Sequence, residues 1–190
     1  MTTIDPSKLI ILDRDGVINI DSDNYIKSTE EWIPITGSIE AIADLYKNGF
    51  TICVATNQSG LGRKLFKQGA LDAMHDKLIN LVEKHGGKIH SIRYCPHTPE
   101  GQCQCRKPAA GMFWDIAEAF GLNDLKGAHT VGDSLRDLQA GSAANSSAVL
   151  VRTGKGEKTL ASGKALPAGT LIFKDLREFA DSMIRSPEHS

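Results

Sequence analysis

Two hydrophobic periods alternate along this chain. Short apolar runs at 8–12, 50–55, 89–94, 128–132, 147–151 and 171–173 have the length of buried strands. Between them the spacing is helical. Ile39, Ile42, Ala43, Leu45 and Tyr46 make one apolar face over 37–48, and Ala70, Leu71, Met74, Leu78, Leu81 and Val82 make another over 67–84. Further helices are predicted at 109–120, 135–144 and 175–184, with Gly49, Gly86-Gly87 and Gly121 as stop signals. Two stretches fit neither period. The first, 17–36, reads as a loop excursion over the end of the sheet, with Tyr25 and Trp32 either shaping an entrance or packing at an edge. The second, 153–169, reads as a surface loop long enough to suggest a function or mobility.

Strands alternating with helices predict a mostly parallel sheet covered on both faces, a Rossmann-like three-layer α/β sandwich in one domain spanning 1–190. Sites in such sheets gather beyond the carboxyl ends of the strands. Asp13 and Asp15, Thr56 and Asn57, the segment leading to Lys107, and Gly132-Asp133 all fall there. The bulk numbers narrow the classes. With 41% hydrophobic and 24% charged residues the composition is ordinary for a water-exposed globular chain. A formal net charge of −1 gives no footprint for nucleic acid or an anionic membrane. No apolar stretch approaches the roughly 20 residues of a membrane span. Met1–Pro6 lacks the basic-then-apolar pattern of a secretion signal, so a cytoplasmic location is the expectation. A monomer is expected, with no partner among nucleic acids or membranes.

Leu12-Asp13-Arg14-Asp15-Gly16 carries the densest chemistry. Two carboxylates leaving an apolar strand together repel each other unless a cation or a shared proton accommodates them. A carboxylate such as Asp13 can attack phosphorus and form an acyl phosphate. Asp15 can then protonate the leaving alcohol oxygen and later activate water. Thr56 and the backbone N–H groups of Thr56-Asn57-Gln58-Ser59-Gly60 can hold phosphoryl oxygens, with Asn57 orienting the same group. The Lys107 ammonium can neutralise the nucleophile and the phosphoryl group. Asp133 can bind Mg²⁺ with Asp13, and Asp137 can orient Lys107 or support the metal shell. Cys95-Pro96-His97 and Cys103-Gln104-Cys105 offer three thiolates and one imidazole, a closed tetrahedral set for a structural Zn²⁺ bracing a loop at 95–107. Cys53 reads as a small buried hydrophobe. His75 and His85 read as helix-surface or terminal residues, and His129 as a strand-packing one.

In their combined order, Asp13-Arg14-Asp15-Gly16, Val54-Ala55-Thr56-Asn57-Gln58, Lys107-Pro108 and Gly132-Asp133 resemble the four motifs of the haloacid dehalogenase-like phosphatases. The resemblance implies a compact, capless fold. It implies Asp13 as nucleophile, Asp15 as acid/base, and Thr56 and Lys107 on the phosphoryl group. Mg²⁺ would be held by the Asp13 side chain, the Asp15 backbone carbonyl and Asp133. With Thr56–Arg63, the Cys/His segment and Arg152-Thr153-Gly154-Lys155 included, the chain is similar to the bacterial heptose bisphosphate phosphatases. That likeness implies a small phosphorylated sugar substrate, losing its 7-phosphate during nucleotide-heptose and lipopolysaccharide precursor synthesis. Gln58, Ser59, Arg63 and Arg106 then stand as candidate substrate contacts beside Asn57, with Lys155 a further one. Two alternatives stay open: a histidinol-phosphate phosphatase, and a nonenzymatic zinc-binding interaction domain.

Overall fold

Every position of strand β1 (Leu9–Leu12) is buried, and its side chains alternate between two cores. Ile10 and Leu12 point into one apolar cluster, Leu9 and Ile11 into the other, as the two-residue period of a strand demands. The remaining strands are β2 (Thr51–Asn57), β3 (Ser91–Cys95), β4 (His129–Gly132), β5 (Ser147–Val151) and β6 (Leu171–Phe173). They form one parallel sheet in the order β3-β2-β1-β4-β5-β6. The chain moves outward from β1 to β3, then returns to β4 on the other side of β1. That reversal opens a crevice beyond the carboxyl ends of β1 and β4, where ligands bind in sheets of this kind. Coordinates are from a computed structural model describing residues 4–186. The outermost residues of the 1–190 span, including Met1–Thr3 of the stretch judged unlike a signal, lie outside the described residues.

The larger core packs helices α1 (Ser38–Lys47), α3 (Gln68–Lys84) and α7 (Leu176–Arg185) on one face through Ile39, Ile42, Leu71, Leu78, Val82 and Phe179. The other face takes α4 (Gly111–Ala119), through Met112, Phe113 and Ile116, and α5 (Leu135–Ala143), through Ala140. Burying side chains of this size contributes about 1.5–3 kcal/mol each. The Asp175 side chain caps α7, accepting from Glu178 N at 2.9 Å, and Gly49 ends the α1 turn at φ 84°. Among the described residues no helix is long and apolar enough to cross a membrane.

Four local expectations change. Strand β2 continues to Asn57, so Thr56 and Asn57 are its last residues. The 153–169 stretch contains helix α6 (Gly156–Ala161), following a turn in which Gly156 N donates to Thr153 O at 2.9 Å. Tyr46 stays outside the core clusters, 37% exposed and beside the His90 ring. Trp32 does not shape an entrance; it lies in the larger core without solvent exposure. The excursion folds back on itself, with Ile20 N donating to Ile33 O and Ile35 N to Ile18 O, both at 2.9 Å. That strap carries the indole inward, and Lys77 on α3 fastens it by donating to Thr29 O and Trp32 O.

Candidate active site

Directly past β1, Asp13 N donates to Val131 O at 2.9 Å, extending the ladder to β4 by one bond. This brings Asp13 beside Asp133, which follows β4. Their carboxylates and that of Asp137 offer oxygens within 4.8 Å of one another. A cavity of about 240 Å³ opens there, lined by Asp13, Asp15, Thr56, Lys107 and Asp133.

Lys107 organises the floor. Its ammonium is buried and has three acceptors: Asp13 Oδ1 at 2.8 Å, Asp137 Oδ1 at 2.7 Å and Ala55 O at 2.8 Å. Burial favours its neutral form, but Asp13 and Asp137 outweigh that and hold its pKa above the ordinary lysine value. Asp137 is fully engaged. Its Oδ2 accepts from Ser134 N at 3.0 Å and Ser134 Oγ at 2.6 Å, a capping box at the start of α5. Burial raises the Asp137 pKa, yet the Lys107 charge overrides it and keeps the group ionised. Asp13 and Asp133 go the other way. Burial, with Asp137 as the next cause, raises Asp13 to about 7, despite Lys107. Burial, then Asp137 and Asp13, raise Asp133 to about 8. A divalent cation would relieve that repulsion. The donor set fits one: hard carboxylate oxygens of Asp13 and Asp133, with the carboxylate of Asp137 already committed to Lys107.

The other predicted residues divide. Thr56 and Ser59 line the cavity, as do Arg106 and Lys155. Asn57, also on the wall, spends both ends of its amide on the Lys107 backbone, donating to its carbonyl at 3.1 Å and accepting from its N–H at 3.0 Å. Gln58 donates to Asp15 Oδ2 and Thr56 Oγ1, both at 2.9 Å, so its amide is turned into the site's own network. Arg63 is outside the cavity. The short helix α2 (Ser59–Gly62) turns it toward Glu100, 3.9 Å away, in a largely exposed pair. Lys155 caps the acidic pair: its N–H donates to Asp133 Oδ2 at 2.7 Å and its ammonium pairs with Asp21 at 3.1 Å. Gly16 and Gly154 permit this close approach. A Cβ on Gly16, at φ +86°, would lie 2.0 Å from Asp133 Oδ2.

Three participants escape a reading of the sequence. Arg136 lines the cavity from the first turn of α5. Arg14 is wholly buried, and its guanidinium grips Asp15, with Nε and Nη2 on Oδ1 at 3.1 and 2.9 Å. His75 is buried rather than on the helix surface, its Nε2 3.4 Å from Arg14 Nη1. Burial, then Arg14, lowers the His75 pKa to about 4. Burial alone would raise Asp15; Arg14 and hydrogen bonds from Asn19, Arg14 and Gln58 leave it below the usual carboxylate value.

At the foot of β3, Cys95, His97, Cys103 and Cys105 converge. The closest sulfurs, of Cys105 and Cys95, are 3.1 Å apart, and His97 Nδ1 is 3.3 Å from Cys105 Sγ. All four ligand atoms lie within 4.8 Å of one another, which suits a small tetrahedral cation with sulfur and nitrogen ligands.

A parallel sheet of this order, with paired aspartates beyond its first strand and a lysine and a third aspartate opposite, defines a haloacid dehalogenase-like hydrolase. A family model described as HAD-hyrolase-like matches residues 104–179. A D-glycero-beta-D-manno-heptose-1,7-bisphosphate 7-phosphatase of Pseudomonas aeruginosa is 54% identical over 93% of this chain and 98% of its own length. One from Escherichia coli is 38% identical over 77% of this chain and 80% of its own. A crystal structure of the D,D-heptose 1.7-bisphosphate phosphatase from B. bronchiseptica, complexed with magnesium and phosphate, matches with a TM-score of 0.91. It is 50% identical and covers 93% of this chain and 98% of that chain. Within the haloacid dehalogenase-like class, the chain belongs to the heptose-1,7-bisphosphate 7-phosphatase family.

Proposed function

We propose that this enzyme removes the 7-phosphate of D-glycero-β-D-manno-heptose 1,7-bisphosphate through an aspartyl-phosphate intermediate, in the cytoplasm. The observation that supports the mechanism is the Asp13–Lys107–Asp137 chain on the cavity floor, a carboxylate lining the cavity with a buried cation beside it. The β anomer follows the names of the curated relatives.

Asp13 attacks phosphorus in line with the bond to O7. Thr56 holds phosphoryl oxygens, and the Lys107 ammonium turns its donor from Asp13 to the phosphoryl group as that carboxylate attacks, while Asp137 positions Lys107. The negative phosphoryl group arriving beside Asp15 opposes the effect of Arg14 and raises its proton affinity. Asp15 then takes a proton from solvent and delivers it to O7 as the alkoxide departs. In the second half-reaction the carboxylate form accepts a proton from the attacking water, and phosphate leaves with Asp13 regenerated. Asp13, the Asp15 backbone carbonyl and Asp133 would hold Mg²⁺, whose chemistry is to neutralise charge developing on the phosphoryl oxygens. Cys95, His97, Cys103 and Cys105 would hold Zn²⁺ as a brace: Gln58 N donates to Cys95 O at 2.7 Å, and Lys107 is two residues beyond Cys105. Arg106, Lys155 and Ser59 are the candidate contacts to the sugar and its distal phosphate.

The test is phosphate release with Mg²⁺ from both heptose bisphosphate anomers and from histidinol phosphate. Preference for the β heptose bisphosphate, abolished in Asp13→Asn, is the expected result. Preference for histidinol phosphate would overturn the substrate, and full activity in Asp13→Asn would overturn the nucleophile.

A further inference from the structure

We infer that His75, acting through Arg14, is a positioning residue that sets the orientation of the Asp15 carboxylate for proton transfer to the leaving alcohol. The inference rests on Asp15 serving as the acid/base. Asp15 Oδ1 accepts from Arg14 Nε, Arg14 Nη2 and Asn19 Nδ2, at 3.1, 2.9 and 2.9 Å. Oδ2 accepts from Arg14 Nη2 at 3.1 Å and Gln58 Nε2 at 2.9 Å. Arg14 therefore supplies the largest share of the bonds that aim this carboxylate. It can do so only if its own guanidinium is fixed, and no solvent reaches it. Nε and Nη2 are spent on Asp15. Nη1 turns toward helix α3, where the His75 Nε2 lies 3.4 Å away.

A histidine suits that position only as a neutral acceptor, with its proton on Nδ1. A second cation there would repel the guanidinium. The low proton affinity that burial and Arg14 impose on His75 keeps it neutral across the working range. The ring also lies near that of Tyr94, with centroids 5.9 Å apart. The chain of contact runs from α3 through His75 and Arg14 to Asp15. His75 itself is not among the residues lining the cavity, so its influence on the reaction passes through the arginine.

The experiment compares two substrates that differ in their need for a proton. The heptose ester expels a strongly basic alkoxide, whereas p-nitrophenyl phosphate expels a stabilised phenolate. General acid catalysis is worth about 10²–10⁴-fold where it is needed. His75→Leu removes the acceptor; His75→Gln places an amide oxygen where Nε2 stands. The expected result for His75→Leu is a fall of about ten-fold or more in kcat on the heptose ester, KM little changed, with about two-fold or less on the aryl ester. His75→Gln should restore most of the loss. Equal losses on both substrates would make His75 a packing residue only and overturn the inference, as would a wild-type His75→Leu. Should His75→Leu fail to fold, His75→Met reads the same ratio in a side chain suited to a helix. Asp15→Asn, run in parallel, separates the two ideas. If it shows the same selective loss while the His75 variants do not, the positioning role falls alone. If it shows no selectivity, the acid/base assignment falls and the inference with it.

Discussion

Replacing Lys107 by Met tests the electrostatics of the cavity floor most directly. The substitution nearly conserves the apolar stem and removes one buried charge together with its bonds to Asp13, Asp137 and Ala55 O. Breaking a buried ion pair by deleting one member costs about 3–5 kcal/mol, because the survivor stays buried without compensation. Here the loss is partly self-limiting, since Asp13 can take up a proton. With Lys107 present, its pKa already stands at about 7. Without the ammonium it rises further. A carboxyl whose folded pKa is above its unfolded one stabilises the fold when protonated, and that stability is lost as pH rises through the folded pKa. The wild type loses its Asp13 proton near pH 7, and the variant holds it to higher pH. Over each unit of pH between those two points the deficit should grow by about 1.4 kcal/mol. Urea unfolding in Mg²⁺-free buffer at pH 6 and pH 8 measures it. The expected deficit is about 3 kcal/mol at pH 6 and larger at pH 8, with turnover lower by about 10²–10³-fold. A deficit under about 1 kcal/mol, or one that shrinks with rising pH, would refute the reasoning.

Gly16→Ala should damage the metal site rather than the sheet: its Cβ would fall 2.0 Å from Asp133 Oδ2, at a φ of +86° that disfavours any side chain. Turnover against Mg²⁺ concentration should show a half-saturation point raised about ten-fold or more, Mg²⁺ affinity falling because a single displaced carboxylate is one of few protein ligands. A wild-type Mg²⁺ response would contradict this. Cys103→Ser should cost the chain its zinc, read as metal content by mass spectrometry under non-denaturing conditions, with a thermal transition lower by several degrees, roughly what loss of a structural metal in a loop implies. A purified wild-type chain free of zinc, with an unchanged transition in the variant, would remove the metal from the account.

The sheet was legible because β1, β2 and β5 are short, mostly apolar and buried runs, and because glycines end several of the helices between strands. Asp13, Thr56 and Asp133 stand at strand ends, whereas Lys107 lies well past β3 and reaches the same cavity through the Cys/His segment. What spacing does not carry is the identity of partners. Asn57 is fifty residues from Lys107 in the chain, and an amide at a strand end looks as fit to hold a phosphate as to clamp a distant backbone. Arg63 stands three residues past Gly60, yet the single turn of α2 is enough to aim it at Glu100. Trp32 sits in an excursion with no period at all, so its inward turn depends on backbone bonds between Ile18, Ile20, Ile33 and Ile35. His75 is the instructive case. Leu71, Met74, His75, Leu78 and Val82 occupy one helical stripe, and all five are buried. The position announced burial by its spacing while the residue type suggested the surface. Where period and polarity disagree in this way, a buried polar group must find a partner. Here the nearest is a guanidinium that could not itself have been placed in the core without Asp15 to neutralise it. Arg14 lies just past β1, in a turn where its carbonyl accepts from Ile18 N at 2.8 Å, and its buried guanidinium stands between Asp15 and the histidine of α3.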